Sequence, residues 1–197
     1  MHRLLLKTKG ESRKMQYHKT ITLKDGRTCV LRSGTEQDGQ ALLDVFILTH
    51  SQTEFLIDYP DEITMTVEQE TQYLKEKNES ENEIELLAEV DGNVIGSAGI
   101  WCVRKREKLR HRAGFGIGIL DAYWGLGIGR ALTEACIECA GTAGYTQLEL
   151  DVLAVNEKAI TLYKSVGFVE YGRNPQGIKL RASGCHDLVL MRLELQK

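Results

Sequence analysis

Long apolar runs are missing from this sequence, and no hydrophobic stretch approaches the length needed to cross a bilayer as a helix. The triplet Leu4-Leu5-Leu6 is too short for the core of an export signal, so a cytoplasmic protein with no membrane partner is expected. An excess of basic charge is missing too: 25 Lys and Arg against 28 Asp and Glu give a formal net charge of −3. Nucleic acids favour a basic surface, so none is expected as a partner. Metal-ligand spacing is also absent. The five cysteines, Cys29, Cys102, Cys136, Cys139 and Cys185, include one C-x-x-C, but no second pair and no nearby histidine completes a site. Cys136 and Cys139 fall in a helical run and are expected to pack as small hydrophobes, in a reducing compartment. Internal repeats and low-complexity tracts are lacking, and 197 residues suffice for one α/β domain with a proper core but not for two of ordinary size.

What the chain does have is glycine in one telling place. Tyr123-Trp124-Gly125-Leu126-Gly127-Ile128-Gly129-Arg130 runs into the apolar-periodic segment 131–140. Glycines at alternate positions before a helix leave backbone N–H groups uncovered at the positive end of the helix dipole. That pattern suits a pyrophosphate, because missing side chains let the backbone approach the anion. A nucleotide-like ligand is expected.

Around this segment the chain reads as alternating elements. Residues 1–16 are basic and aperiodic, a flexible arm preceding a single domain over residues 17–197; Met15 is an alternative start. Asp25-Gly26 and Asp91-Gly92 mark hairpin turns. Thr35 with Asp38 and Thr66 with Gln69 have the spacing of helix-opening capping pairs. Strands are expected over 113–120, 146–153, 169–172 and 186–195, with helices to about Ala143 and from Asn156 to about Val166. The basic stretch 104–112 reads as a solvated hairpin tip and Trp101 as a core aromatic. The fold class that follows is α/β (α+β): a mixed, mostly antiparallel central sheet of about seven strands with helices on both faces.

These blocks resemble the GNAT superfamily of N-acetyltransferases, with its acyl-CoA N-acyltransferase-like fold. Gly127 and Gly129 match the two small positions of the signature Gln/Arg-x-x-Gly-x-Gly/Ala. Ile117-Gly118-Ile119 lies upstream as in the family. Asn156, Ala159, Leu162-Tyr163 and Val166-Gly167-Phe168 match N-x-x-A-x-x-L-Y-x-x-x-G-F, and Asp187-Leu188-Val189-Leu190-Met191 resembles the closing strand. No metal is expected, because neither a histidine pair nor a clustered acidic site is visible. The resemblance implies direct acetyl transfer from acetyl-CoA to a primary amine in a ternary complex. It implies that Trp124, Gly125, Leu126, Gly127, Ile128, Gly129 and Arg130 hold the pyrophosphate. Main-chain groups of Ile117 and Ile119, about Gly118, would pair with the pantetheine arm where two strands splay. Asn156, near Ala159, would hydrogen-bond that arm, Tyr163 would protonate the departing thiolate, and the Ile119 amide would polarise the acetyl carbonyl.

Two departures stand out. Trp124 replaces the polar first residue of the signature, and Gly114 stands where many relatives carry a glutamate that serves as base. An amine must be neutral to attack, which at pH 7 costs about 4.6 kcal/mol for a lysine-like amine and about 1 kcal/mol for an α-amine. Glu149 is the first candidate for the base, since strand alternation puts it and Asp151 opposite Leu148, Leu150 and Val152. His111 and Asp121 are weaker candidates. The acids Glu54, Asp58, Asp61 and Glu62 suggest a cationic acceptor, a small molecule or a protein N-terminus. The oligomeric state is not legible, and a homodimer is compatible. Two rival readings stand beside this one: a non-catalytic coenzyme A-binding module, and an S-adenosylmethionine-dependent methyltransferase with Asp151 as ribose-binding acid.

Overall fold

The computed structural model describes residues 14–195. Among these, eight strands and four α-helices follow in the order β1 (His18–Thr22), β2 (Thr28–Ser33), α1 (Gly39–Gln52), α2 (Val67–Glu79), β3 (Ile84–Val90), β4 (Asn93–Cys102), β5 (Arg112–Ile119), α3 (Ile128–Thr142), β6 (Gln147–Leu153), α4 (Glu157–Ser165), β7 (Val169–Leu180) and β8 (Gly184–Glu194). The strands form one sheet in the order β1-β2-β3-β4-β5-β6-β8-β7. This is the expected mixed, mostly antiparallel sheet, with eight strands in place of about seven. Among the described residues β5–β6 is the one parallel pair, so the doubly wound parallel sheet of a methyltransferase is not formed.

Local chemistry explains where the helices begin. The Asp38 carboxylate accepts from the Thr35 N–H at 2.8 Å, closing the turn that leads into α1. Thr66 and Gln69 exchange side-chain and backbone bonds at the start of α2. Gly127, at φ 100°, is the residue from which α3 springs. Gly167, at φ 103°, ends the chain's exit from α4.

The two helical layers cover opposite faces. On one, Leu132, Cys136 and Cys139 of α3 and Tyr163 of α4 pack with Leu148, Leu150 and Val152 of β6 in the main core. Cys136 and Cys139 are fully buried there, as expected of small hydrophobes. On the other face Leu42 of α1 and Leu74 of α2 close on Leu87. Each fully buried leucine contributes about 2 kcal/mol of transfer free energy.

Two boundaries differ from expectation. Of the arm expected over 1–16, residues 1–13 lie outside the described residues. Met15 is packed in the main core, and its N–H donates to the Ser80 carbonyl at 3.1 Å. The strand expected to stop at Gly172 runs on to Leu180. Its register against β8 shifts between Asn174 and Ile178, where Gln176 takes φ 55°, so the Asn-Pro-Gln-Gly stretch is a bulge within the strand. No described helix is long and apolar enough to cross a membrane.

Candidate active site where β5 and β6 separate

The parallel ladder between β5 and β6 is short. It joins Arg112 to Gln147, Ala113 to Leu148 and Gly114 to Glu149, and then stops. Beyond Gly114 the strands part, and the direction of the β5 backbone follows from the β4 side. The Leu120 N–H donates to the Ile95 carbonyl at 3.0 Å, so by alternation Gly118 and Gly116 also point at β4. The main-chain groups of Ile117 and Ile119 therefore face the opening.

At the end of β5 lies the glycine segment. Gly125 and Gly127 both have positive φ, 78° and 100°, and a Cβ on either would meet nothing within 4 Å. Among the described residues none of the six amides from Gly125 to Arg130 meets an acceptor; the first bonded one is the Ala131 N–H, to the Gly127 carbonyl at 3.1 Å. These unmatched donors sit at the positive end of α3, whose Ile128 side chain is buried in the main core. The segment is braced from outside. The Leu126 carbonyl accepts from the Lys24 N–H at 3.2 Å, and Arg130 reaches Ser165 Oγ at 2.7 Å. A Cβ on Gly129 would stand 3.4 Å from Leu162 Cδ2, an ordinary contact between α3 and α4. Trp124 braces the segment from within. Its indole N–H donates to the Ile119 carbonyl at 2.7 Å and ties the cradle to the tip of β5.

Two further expected site residues, Asn156 and Tyr163, lie beyond β6. The Asn156 side chain accepts from the Ala159 N–H at 3.2 Å, capping α4. Tyr163 is buried, edge-on to Phe115 at 6.0 Å and tilted against Phe168 at 5.9 Å. Burial pushes its phenol up to about 12, so it is a proton donor throughout the neutral range. Its hydroxyl has no hydrogen-bond partner among the described residues.

The opposite face of the opening shows what sequence reasoning missed. Trp101, expected in the core, is 41% exposed and lies over Gly114 and Gly116. Arg112, read as part of a solvated tip, donates from Nε and Nη2 to the two oxygens of Glu149, the second bond at 2.6 Å. That double grip competes with the base role expected of Glu149, because both of its oxygens already accept charge-assisted hydrogen bonds from Arg112. Of the acidic loop, Asp61 is held bidentately by Arg181 at 2.6 and 2.9 Å, and Glu62 lies 3.7 Å from the same group. The Arg181 side chain also stacks 3.9 Å over Tyr59. The loop after α1 is thus fastened to the β7–β8 turn, and half of its acidity is already matched. His111 and Asp121 stand at the two ends of β5, the Asp121 N–H donating to Gln52 at 3.0 Å.

Comparison with known proteins bears on the fold and the family. A family model described as the Acetyltransferase (GNAT) family matches residues 48–168. The acetyltransferase of GNAT family from Streptococcus pneumoniae superposes with a TM-score of 0.81 at 29% identity, covering 84% of this chain and 99% of that one. The structure of yncA from Salmonella typhimurium, solved with its cofactor acetyl-CoA, shares the fold at a TM-score of 0.76 and 21% identity, over 86% of this chain and 95% of that one. The L-amino acid N-acyltransferase MnaT of Escherichia coli (strain K12) is 27% identical over 112 residues, 57% of this chain and 64% of that protein. The chain spans less than two thirds of the length of the curated relatives it matches. By its fold, its cradle and the matched residues, the chain belongs to the GNAT family of acetyltransferases.

Proposed function

We propose that the chain transfers an acetyl group from acetyl-CoA to a primary amine, both being bound at once, and that it does so in the cytoplasm. The observation that carries this is the continuity of two features: unmatched amides over Gly125–Arg130, and main-chain groups of Ile117 and Ile119 facing the gap that opens after Gly114. The amides hold the diphosphate, with Gly125 and Gly127 keeping the approach clear. The backbone of Ile117 and Ile119 pairs with the pantetheine arm as an added strand, and Asn156 offers its side-chain N–H groups. Acetyl-CoA supplies the activated thioester. Ile119, whose carbonyl is taken by Trp124, has its amide left to polarise the acetyl oxygen. Tyr163 gives its proton to the departing sulfur.

The acceptor approaches from the Trp101 side, the Tyr163 side being filled by α3 and α4. An α-amine is favoured over a lysine-like amine, since it needs about 1 kcal/mol rather than about 4.6 kcal/mol to become neutral at pH 7. The name of the Escherichia coli relative points the same way. The test is thiol release from acetyl-CoA across a panel of primary amines, with mass detection of the product. Amine-dependent release establishes the transfer. Binding of acetyl-CoA with no release for any amine would make the chain a coenzyme A-binding module.

A further inference from the structure

We infer that Asp151 is the group that takes the proton from the attacking amine. This rests on the transfer reading above. Three observations lead to it. First, Asp151 is on β6 two residues past Glu149, the last β6 residue paired with β5, so it is the first acidic side chain beyond the split. Second, Leu150 and Val152 pack into the core with Tyr163, so alternation turns Asp151 to the opposite face, the side of Gly114, Gly116 and Trp101. Tyr163 and Asp151 thus lie on opposite faces of the sheet. Third, the two β6 carboxylates are treated differently. Arg112 holds both oxygens of Glu149, while Asp151 has no hydrogen bond or ion pair among the described residues.

Glu149, on its own strand, is the charged group that bears on Asp151, and Tyr171 of β7 lies near both carboxylates as well as near Arg112 of β5 and Arg192 of β8, the last paired in register with Glu149. Leu190 stands directly opposite it on β8. Burial, and then the neighbouring charge of Glu149, hold the Asp151 carboxyl above its ordinary value, which strengthens it as a base.

Protons and electron pairs balance across the step. The ammonium gives one proton to Asp151, which passes it to water. The freed lone pair forms the C–N bond to the acetyl carbon, and the C–S bond breaks with its electron pair going to sulfur. Sulfur takes a proton from Tyr163, and the second proton lost by nitrogen restores the phenol through solvent. The net change is an ammonium and a thioester becoming an amide, a thiol and one proton.

The experiment compares wild type, Asp151→Asn, Asp151→Glu and Glu149→Gln. It uses pH profiles of kcat/KM for the amine found active in the panel, with calorimetric binding of acetyl-CoA alongside. For Asp151→Asn the expected result is a fall of 100-fold or more at pH 7, loss of the acidic limb assigned to the base, and acetyl-CoA binding within twofold. The defect should shrink at pH values above the pKa of the amine, where no base is needed. Asp151→Glu should restore part of the rate, and Glu149→Gln should keep the limb but move it to lower pH. If Asp151→Asn stays within threefold of wild type with an unchanged profile, or if Glu149→Gln abolishes the limb, the assignment to Asp151 is overturned. Failure of the wild type with every amine overturns the transfer reading itself, and acetyl-CoA binding tells the two failures apart.

Discussion

Trp101 lies across Gly114, its cross-strand partner, so closely that a Cβ built on Gly114 would stand 2.6 Å from the indole ring. The glutamate that many relatives place at this position is therefore not simply absent; its space is filled by an aromatic ring from the neighbouring strand. Gly114→Glu should not create a better base. It should force the indole aside and lower stability by about 1–3 kcal/mol, measured by urea unfolding. Adding Trp101→Gly to Gly114→Glu should recover part of that loss, a coupling that separate sites would not show.

Tyr163→Phe removes one hydroxyl from a ring packed between Phe115 and Phe168 and leaves the packing in place. The expected outcome is a fall in kcat of about 100-fold, the range of general acid catalysis, with the KM for acetyl-CoA within twofold. Steady-state kinetics on a folded, acetyl-CoA-binding variant separate this from a packing defect. Because burial pushes the phenol up to about 12, wild-type activity should show no loss from its ionisation below about pH 10.

Under α2 a second pair of acids gives a stability prediction. Glu70 is buried, and burial, reinforced by Glu85, pushes its carboxyl up to about 7. Glu85 is buried in turn, accepting from the Tyr73 hydroxyl at 2.9 Å. A carboxyl raised in the folded state binds more protons folded than unfolded, so stability declines as pH rises from about 4.5 to about 7. Glu70→Gln should remove that decline. Against wild type it should gain about 1–3 kcal/mol at pH 8 and nearly nothing at pH 4, by denaturant unfolding at the two pH values.

Arg181 fastens the loop after α1 to the β7–β8 turn through Asp61 and Tyr59, the Arg181–Asp61 pair being exposed. Exposed pairs contribute little to stability. Arg181→Ala should therefore leave the melting temperature almost unchanged. Its expected effect is on the KM of the amine, about 3–10-fold, with the KM of acetyl-CoA unmoved, because the family resemblance implies that this loop covers the acceptor.

Much of this was legible in the sequence where the signal is local. The Thr35–Asp38 and Thr66–Gln69 pairs lie three residues apart and form as read. The glycines before α3 show an intrinsic backbone requirement, and Gly125 and Gly127 have the left-handed φ that only glycine adopts freely. The separation of β5 from β6 followed from the family resemblance and lies where the ladder ends at Gly114. What could not be read depends on partners distant in sequence. The grip of Arg112 on Glu149 spans 37 residues and exists only because a parallel crossover sets the two strands side by side. Trp101 looked like core because a strand aromatic usually is, yet it packs on glycines and keeps one face open. Asn174-Pro175-Gln176-Gly177 has the composition of a turn, and only pairing with β8 makes it a bulge.

The claim on which the rest depends is that backbone donors over Gly125–Arg130 grip a coenzyme A diphosphate. Calorimetric titration of acetyl-CoA into wild type and Gly127→Val tests it most directly, because valine at φ 100° both strains the backbone and blocks the approach. The account predicts one-to-one binding to the wild type, weakened at least tenfold by the substitution in a protein that stays folded. Equal affinity of the two proteins, or no association with the wild type, would contradict it.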